Sequence, residues 1–73
     1  MRTLKDVKPG ETVTVIDIKG GGMVKSRLMA MGVIKGSKIA VEKVAPLGDP
    51  IDVRVRGYHL SFRKSEAELI SVS

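Results

Sequence analysis

The sequence holds no Cys and no Trp, and only one His, one Tyr, one Phe and three Pro in 73 residues. Without Cys there is no disulfide staple, no thiol nucleophile, no iron–sulfur ligation and no Cys-based zinc site. Aromatic residues make up 3% of the chain. That excludes the aromatic-lined groove that binds proline-rich peptides, and it leaves one free ring, Tyr58, where a single-strand nucleic-acid binder needs several. The longest apolar run, from Leu28 to Ile34, is far below the roughly 20 residues that span a bilayer. The segment Met1 to Asp6 carries no apolar signal-peptide core, so the expected location is the cytoplasm.

What remains is globular and basic. Hydrophobic residues form 42% of the chain, and 13 Lys+Arg against 8 Asp+Glu give a net charge of +5. This length is that of one domain, spanning 1–73, which buries only about 60% of the surface its unfolded chain exposes. A deep catalytic cleft between domains is excluded. The charge favours acidic partners: nucleic acid, an anionic membrane surface or an acidic protein face.

Short alternating segments punctuated by Gly and Pro predict a mainly β domain. Thr3 caps a one-turn helix with Asp6 at its third position, and Lys8-Pro9-Gly10-Glu11 fits a type II turn. In the strand Thr12 to Ile18, Val13 and Val15 share one face while Ile16 and Ile18 share the other, which predicts a bulge. After Gly20-Gly21-Gly22 the period changes: Val24, Leu28 and Met31 form one helical stripe, with Gly32 as left-handed cap. Ser37 to Val44 resumes alternation, and Pro46 to Pro50 is a rigid loop. A hairpin follows, with Ile51, Val53 and Val55 facing Leu60 and Phe62. A Gly57-Tyr58 turn predicts Val55 opposite Leu60, Val53 opposite Phe62 and Asp52 opposite Arg63. Ser65 and Glu68 have capping-box spacing for a second one-turn helix, and Ile70 to Val72 closes the sheet. The expected architecture is a small SH3-like barrel of about five strands, with one short α-helix and one-turn helices near the termini.

No constellation carries chemistry. The glycine run before Lys25-Ser26 misses the phosphate-loop pattern, because Val24 and Lys19 stand where glycines are required. His59 lacks metal-ligand partners at ligand spacing: Asp49, Asp52, Glu66 and Glu68 are scattered over a loop, a strand and a helical turn. No nucleophile, base or carboxylate pair is evident, so catalytic, cofactor and metal residues are all expected to be absent. The helix is more informative. If Val24, Leu28 and Met31 face the barrel, Met29 points away, with Met23 to one side near Lys25 and Arg27. Exposed Met beside cations is adaptable contact surface; packing of Met29 on the Pro46-Leu47 loop is the competing account. The candidate partner-binding residues are therefore Met23, Lys25, Arg27, Met29 and Leu47. Exposed strand edges leave self-association open.

The strings Arg27-Leu28-Met29-Ala30-Met31-Gly32-Val33-Ile34-Lys35-Gly36, Ala45-Pro46-Leu47-Gly48-Asp49-Pro50-Ile51, Val55-Arg56-Gly57-Tyr58 and Leu60-Ser61-Phe62-Arg63-Lys64-Ser65-Glu66-Ala67 resemble the FeoA family of ferrous iron transport proteins. The opening Leu4-Lys5-Asp6-Val7-Lys8-Pro9-Gly10 is similar too. The chain departs from the family pattern at Lys35, where Pro is common, and at Phe62, where Leu is usual. The resemblance implies a bacterial cytoplasmic SH3-like domain that assists FeoB, the membrane transporter with a cytosolic G-protein domain. The resemblance implies that it reaches the membrane only through that transporter; from the residues themselves no cofactor is expected, and direct binding of iron or guanine nucleotide is left open. A GTPase-activating role would require a group such as Arg near the nucleotide, for which Arg27 is the candidate. The alternatives from other classes are a nucleic-acid-binding SH3-like barrel, or a regulatory domain related to the C-terminal domain of iron-dependent repressors.

Overall fold

In a computed structural model describing residues 2–73, alternation and glycine punctuation set out five strands. They are β1 (Thr12–Ile18), β2 (Lys38–Val44), β3 (Ile51–Val55), β4 (Tyr58–Phe62) and β5 (Ile70–Val72). All pair antiparallel, in the order β4-β3-β2-β1-β5. A 3-10 turn at Leu4–Asp6 precedes β1, α1 (Gly22–Ala30) joins β1 to β2, and α2 (Lys64–Ala67) joins β4 to β5. This is the expected mainly β arrangement of five strands.

The bulge in β1 falls where the apolar phase switches. Pairing with β5 shifts register between Val15 and Asp17, so that Val15 and Ile18 are both buried while Ile16 is exposed. A second register shift, between Val41 and Lys43, bends β2 against β3. Two such irregularities curl a five-stranded sheet around a single core. That core holds Phe62, Leu28, Ile39, Ile51, Val53 and Ile70, with Leu4 sealing it from the N-terminal side. Burying each of these side chains contributes about 1.5–3 kcal/mol. The Pro9-Gly10 turn forms as its residues dictate, with Gly10 at φ 91° and Glu11 N–H donating to the Lys8 carbonyl at 3.1 Å.

The hairpin differs from expectation in its turn. Val55 pairs with Tyr58, Val53 with Leu60, Asp52 with Ser61 and Ile51 with Phe62, so the loop is Arg56-Gly57 rather than Gly57-Tyr58. Both loop residues take positive φ, 53° at Arg56 and 81° at Gly57. Two left-handed central residues make the turn whose twist matches the flanking strands, with Gly at the second position where Asn-Gly hairpins have it. The slip displaces partners by two residues and so leaves every side chain on its expected face. The cap of α2 also differs: Arg63, not Ser65, occupies the cap, and its N–H donates to the Glu66 carboxylate at 2.9 Å.

Candidate functional site

The helix α1 is positioned by its ends. Gly21 is its N-terminal cap residue, in extended conformation, and the Gly20–Gly22 run acts as a strand-to-helix joint. At the other end Gly32 has φ 89°. Its N–H donates to the Met29 carbonyl at 3.0 Å, and Val33 N–H donates to the Leu28 carbonyl at 2.9 Å. These two bonds, with Leu28 and Val33 both fully buried, are a Schellman ending with its apolar contact. They fix the rotation of the helix about its axis. Leu28 enters the core, Val24 and Met31 pack against it, and Met23 and Met29 are left outside, 89% and 50% exposed.

The chain leaving Gly32 folds back beside the helix. Ser37 holds this turn: its hydroxyl donates to the Gly32 carbonyl and accepts from Ile34 N–H, each at 3.1 Å. Ile34 and Lys35 are thereby brought next to Met29, and the β1 bulge delivers Asp17 and Ile18 from the other side. Together Asp17, Ile18, Lys25, Met29, Ile34 and Lys35 line an open hollow of about 400 Å³. Its floor is Met and Ile; two ammonium groups and one carboxylate stand around it.

Of the residues expected to meet a partner, the structure brings Lys25 and Met29 together in this hollow, and Met23 projects from the first turn of the same helix. Arg27 reaches Glu66 of α2 in an ion pair, while Glu66 also accepts the Arg63 N–H. That carboxylate ties α1 to the segment following β4. Leu47 lies apart, 90% exposed in the loop between β2 and β3, and does not line the hollow, so the loop does not cover Met29. Sequence reasoning missed Asp17, Ile18, Ile34 and Lys35. The phase switch in β1 and the Gly32 ending carried the signal, because one turns Ile18 toward the helix and the other sends the chain back along it.

Among the described residues no group of three or more His, Asp or Glu side chains could hold a metal ion, and no helix is long and apolar enough to cross a membrane. The hollow offers apolar contact and positive charge rather than an acid–base pair. Such a surface fits a partner that presents an apolar side chain flanked by carboxylates.

The FeoA domain family model matches residues 2–73. The chain belongs to the FeoA domain family. This FeoA domain is 32% identical over 69 residues to the Fe(2+) transport protein A/Fe(2+) transporter FeoB fusion protein of Porphyromonas gingivalis. The alignment covers 94% of the chain and 8% of the far longer fusion protein. An FeoA-like protein from Clostridium acetobutylicum matches at 45% identity with a TM-score of 0.88, covering 97% of this chain and 83% of that one. Stenotrophomonas maltophilia FeoA, described as a prokaryotic SH3 domain protein complexed with zinc, has the same fold at 23% identity and a TM-score of 0.87. That match covers 100% of this chain and 91% of its own. The SH3-like fold expected from the strands is therefore the fold of this FeoA domain.

Proposed function

We propose that this FeoA domain is an accessory component of bacterial ferrous iron uptake that binds a FeoB-type transporter on its cytosolic side and modulates it through protein contacts alone. The observation that carries this reading is the fusion protein, in which a segment related to nearly the whole of this chain is continuous with an iron transporter. Covalent linkage holds two modules at an effective concentration of about millimolar, so an interface of modest affinity suffices there. A domain this small has little room for a cleft, and its chemistry supplies contact instead. The contact surface in this reading is the outer face of α1: Met29 and Ile34 as apolar anchors, Lys25 and Lys35 as the cationic rim, and Met23 and Arg27 at its border. Leu47 is a separate contact, on the loop between β2 and β3.

Binding of the purified domain to detergent-solubilised transporter, measured by pull-down and titration, tests this reading together with iron uptake in cells. Met29→Asp places a carboxylate on the floor of the hollow, at an exposed position that the core does not need. The expected result is loss of binding and of uptake stimulation, with an unchanged circular dichroism spectrum. Unchanged binding by Met29→Asp would remove the helix face as the contact; no binding by the parent domain would remove the transporter as its partner.

A further inference from the structure

The strand order leaves β4 at one end of the sheet, and the two ends are finished differently. Along β5 the N-terminal segment lies as an extra strand: Thr3 bridges Ser71, and Val72 N–H donates to the Arg2 carbonyl at 3.0 Å. Along the outer edge of β4 no strand lies among the described residues. Val55 and Tyr58 flank a two-residue loop and so form the first hydrogen-bonded pair, which makes Val53–Leu60 and Ile51–Phe62 the next. The N–H and C=O groups of His59 and Ser61 therefore point away from β3, and among the described residues they have no other backbone partner. This edge has none of the usual guards: β4 contains no Pro, no Lys and no bulge.

Its charges are just as one-sided. The carboxylates nearest the edge are already engaged. Glu42 accepts from His59 Nδ1 at 2.8 Å and is 3.6 Å from an Arg54 nitrogen, Asp52 accepts from the Ser61 hydroxyl at 2.9 Å, and Asp49 accepts from Lys64 N–H at 3.2 Å. Arg56 precedes β4 and Arg63 follows it; both are exposed and neither forms an ion pair among the described residues. A second copy of this chain is a poor occupant. Antiparallel pairing of two β4 strands that sets His59 opposite Ser61 sets Arg56 opposite Lys64, like charge against like.

The geometry points to β4 as a docking edge for an extended acidic segment of a partner protein, added as a sixth antiparallel strand. Its four main-chain hydrogen bonds would go to His59 and Ser61. Side chains opposite Tyr58, Leu60 and Phe62 would be apolar, because directly opposed residues share a face. Carboxylates at its two ends would meet Arg63 and Arg56. This surface is separate from the α1 hollow, so its failure and the failure of the transporter-binding reading are distinguishable.

The probe is the capped peptide Glu-Val-Thr-Val-Thr-Val-Thr-Glu, compared with the same peptide carrying Lys at both ends and with an RNA oligonucleotide. Titration followed by amide NMR is expected to slow hydrogen exchange at the His59 and Ser61 amides with the acidic peptide. At low salt it is expected to bind about tenfold more tightly than the Lys-ended one, from two exposed ion pairs. Ser61→Pro removes an outward N–H while sparing the β3 pairing, and should abolish the protection. Should that variant not fold, Arg56→Glu with Arg63→Glu should reverse the preference toward the Lys-ended peptide. No protection at millimolar acidic peptide, equal affinity for the two peptides, no reversal in the double variant, or protection by RNA alone would each overturn the proposal.

Discussion

At the scale of single residues, several polar side chains tie the chain to itself. Glu11 accepts from Arg2 at 2.6 Å and from Lys8 N–H at 2.9 Å, and the Arg2 bond is the main reason its carboxyl titrates below its ordinary value of 4.5. Asp6 is lowered as well, chiefly by accepting from the Thr3 backbone at 3.0 Å. Both are depressed acids, so the stability they give is complete above the unfolded-state value and is lost as pH falls through the folded one. Chemical denaturation between pH 7 and pH 3 should show stability falling below about pH 5, and Glu11→Gln should flatten part of that fall while lowering stability at pH 7. Ser37 was legible in the sequence only as the start of a strand. Its two hydrogen bonds hold the turn that forms the hollow, so Ser37→Ala should lower stability by about 1–3 kcal/mol, read as a denaturant midpoint shift at constant m-value.

At the scale of elements, the apolar periods placed all five strands, the helix and the β1 bulge. They could not place the hairpin turn, because Gly57 can serve as the first loop residue of one mirror turn or the second of the other. Sequence rules favoured the first, since the second requires Arg56 to adopt a left-handed backbone that costs a side-chain-bearing residue about 1–2 kcal/mol. Strand twist and the pairing of Val55 with Tyr58 decide it. Because both registers keep the same faces, the core was legible and the partners on the outer surface were not; Asp52 meets Ser61, and the Arg63 side chain forms no ion pair among the described residues. Arg56→Asn, the residue such a turn prefers, should raise the thermal midpoint by about 2–6 °C for a domain of this size. Gly32→Ala should lower it, since a Cβ at φ 89° strains the ending that sets the face of α1. It should also weaken partner binding more than its stability loss explains, because Met29 and Ile34 lie on either side of that ending.

At the scale of the whole molecule, stability is thin. A domain of this length has about 4–11 kcal/mol in total, and Phe62→Ala alone should remove about 3–5 kcal/mol by emptying the centre of the core. That variant should show a markedly lower denaturant midpoint at unchanged m-value, whereas truncating Met23 or Leu47, which touch solvent, should change little. The pairing of β1 with β5 joins residues more than 50 positions apart, so refolding should follow a single exponential in milliseconds to seconds rather than microseconds. The partner surface was only half visible in the sequence for the same reason. Lys25 and Met29 belong to one local helix, but Asp17, Ile18, Ile34 and Lys35 join them through curvature that the strands create together.

Residues 2 and 73 meet on the β5 side of the sheet, where the Arg2 carbonyl receives Val72 N–H and an Arg2 guanidinium nitrogen lies 3.3 Å from the Ser73 carbonyl. Residues 2 to 73 thus trace nearly a ring with a seam. A short glycine bridge across that seam, with new ends cut in the exposed turn at Leu47, would thread the same sheet from a different start.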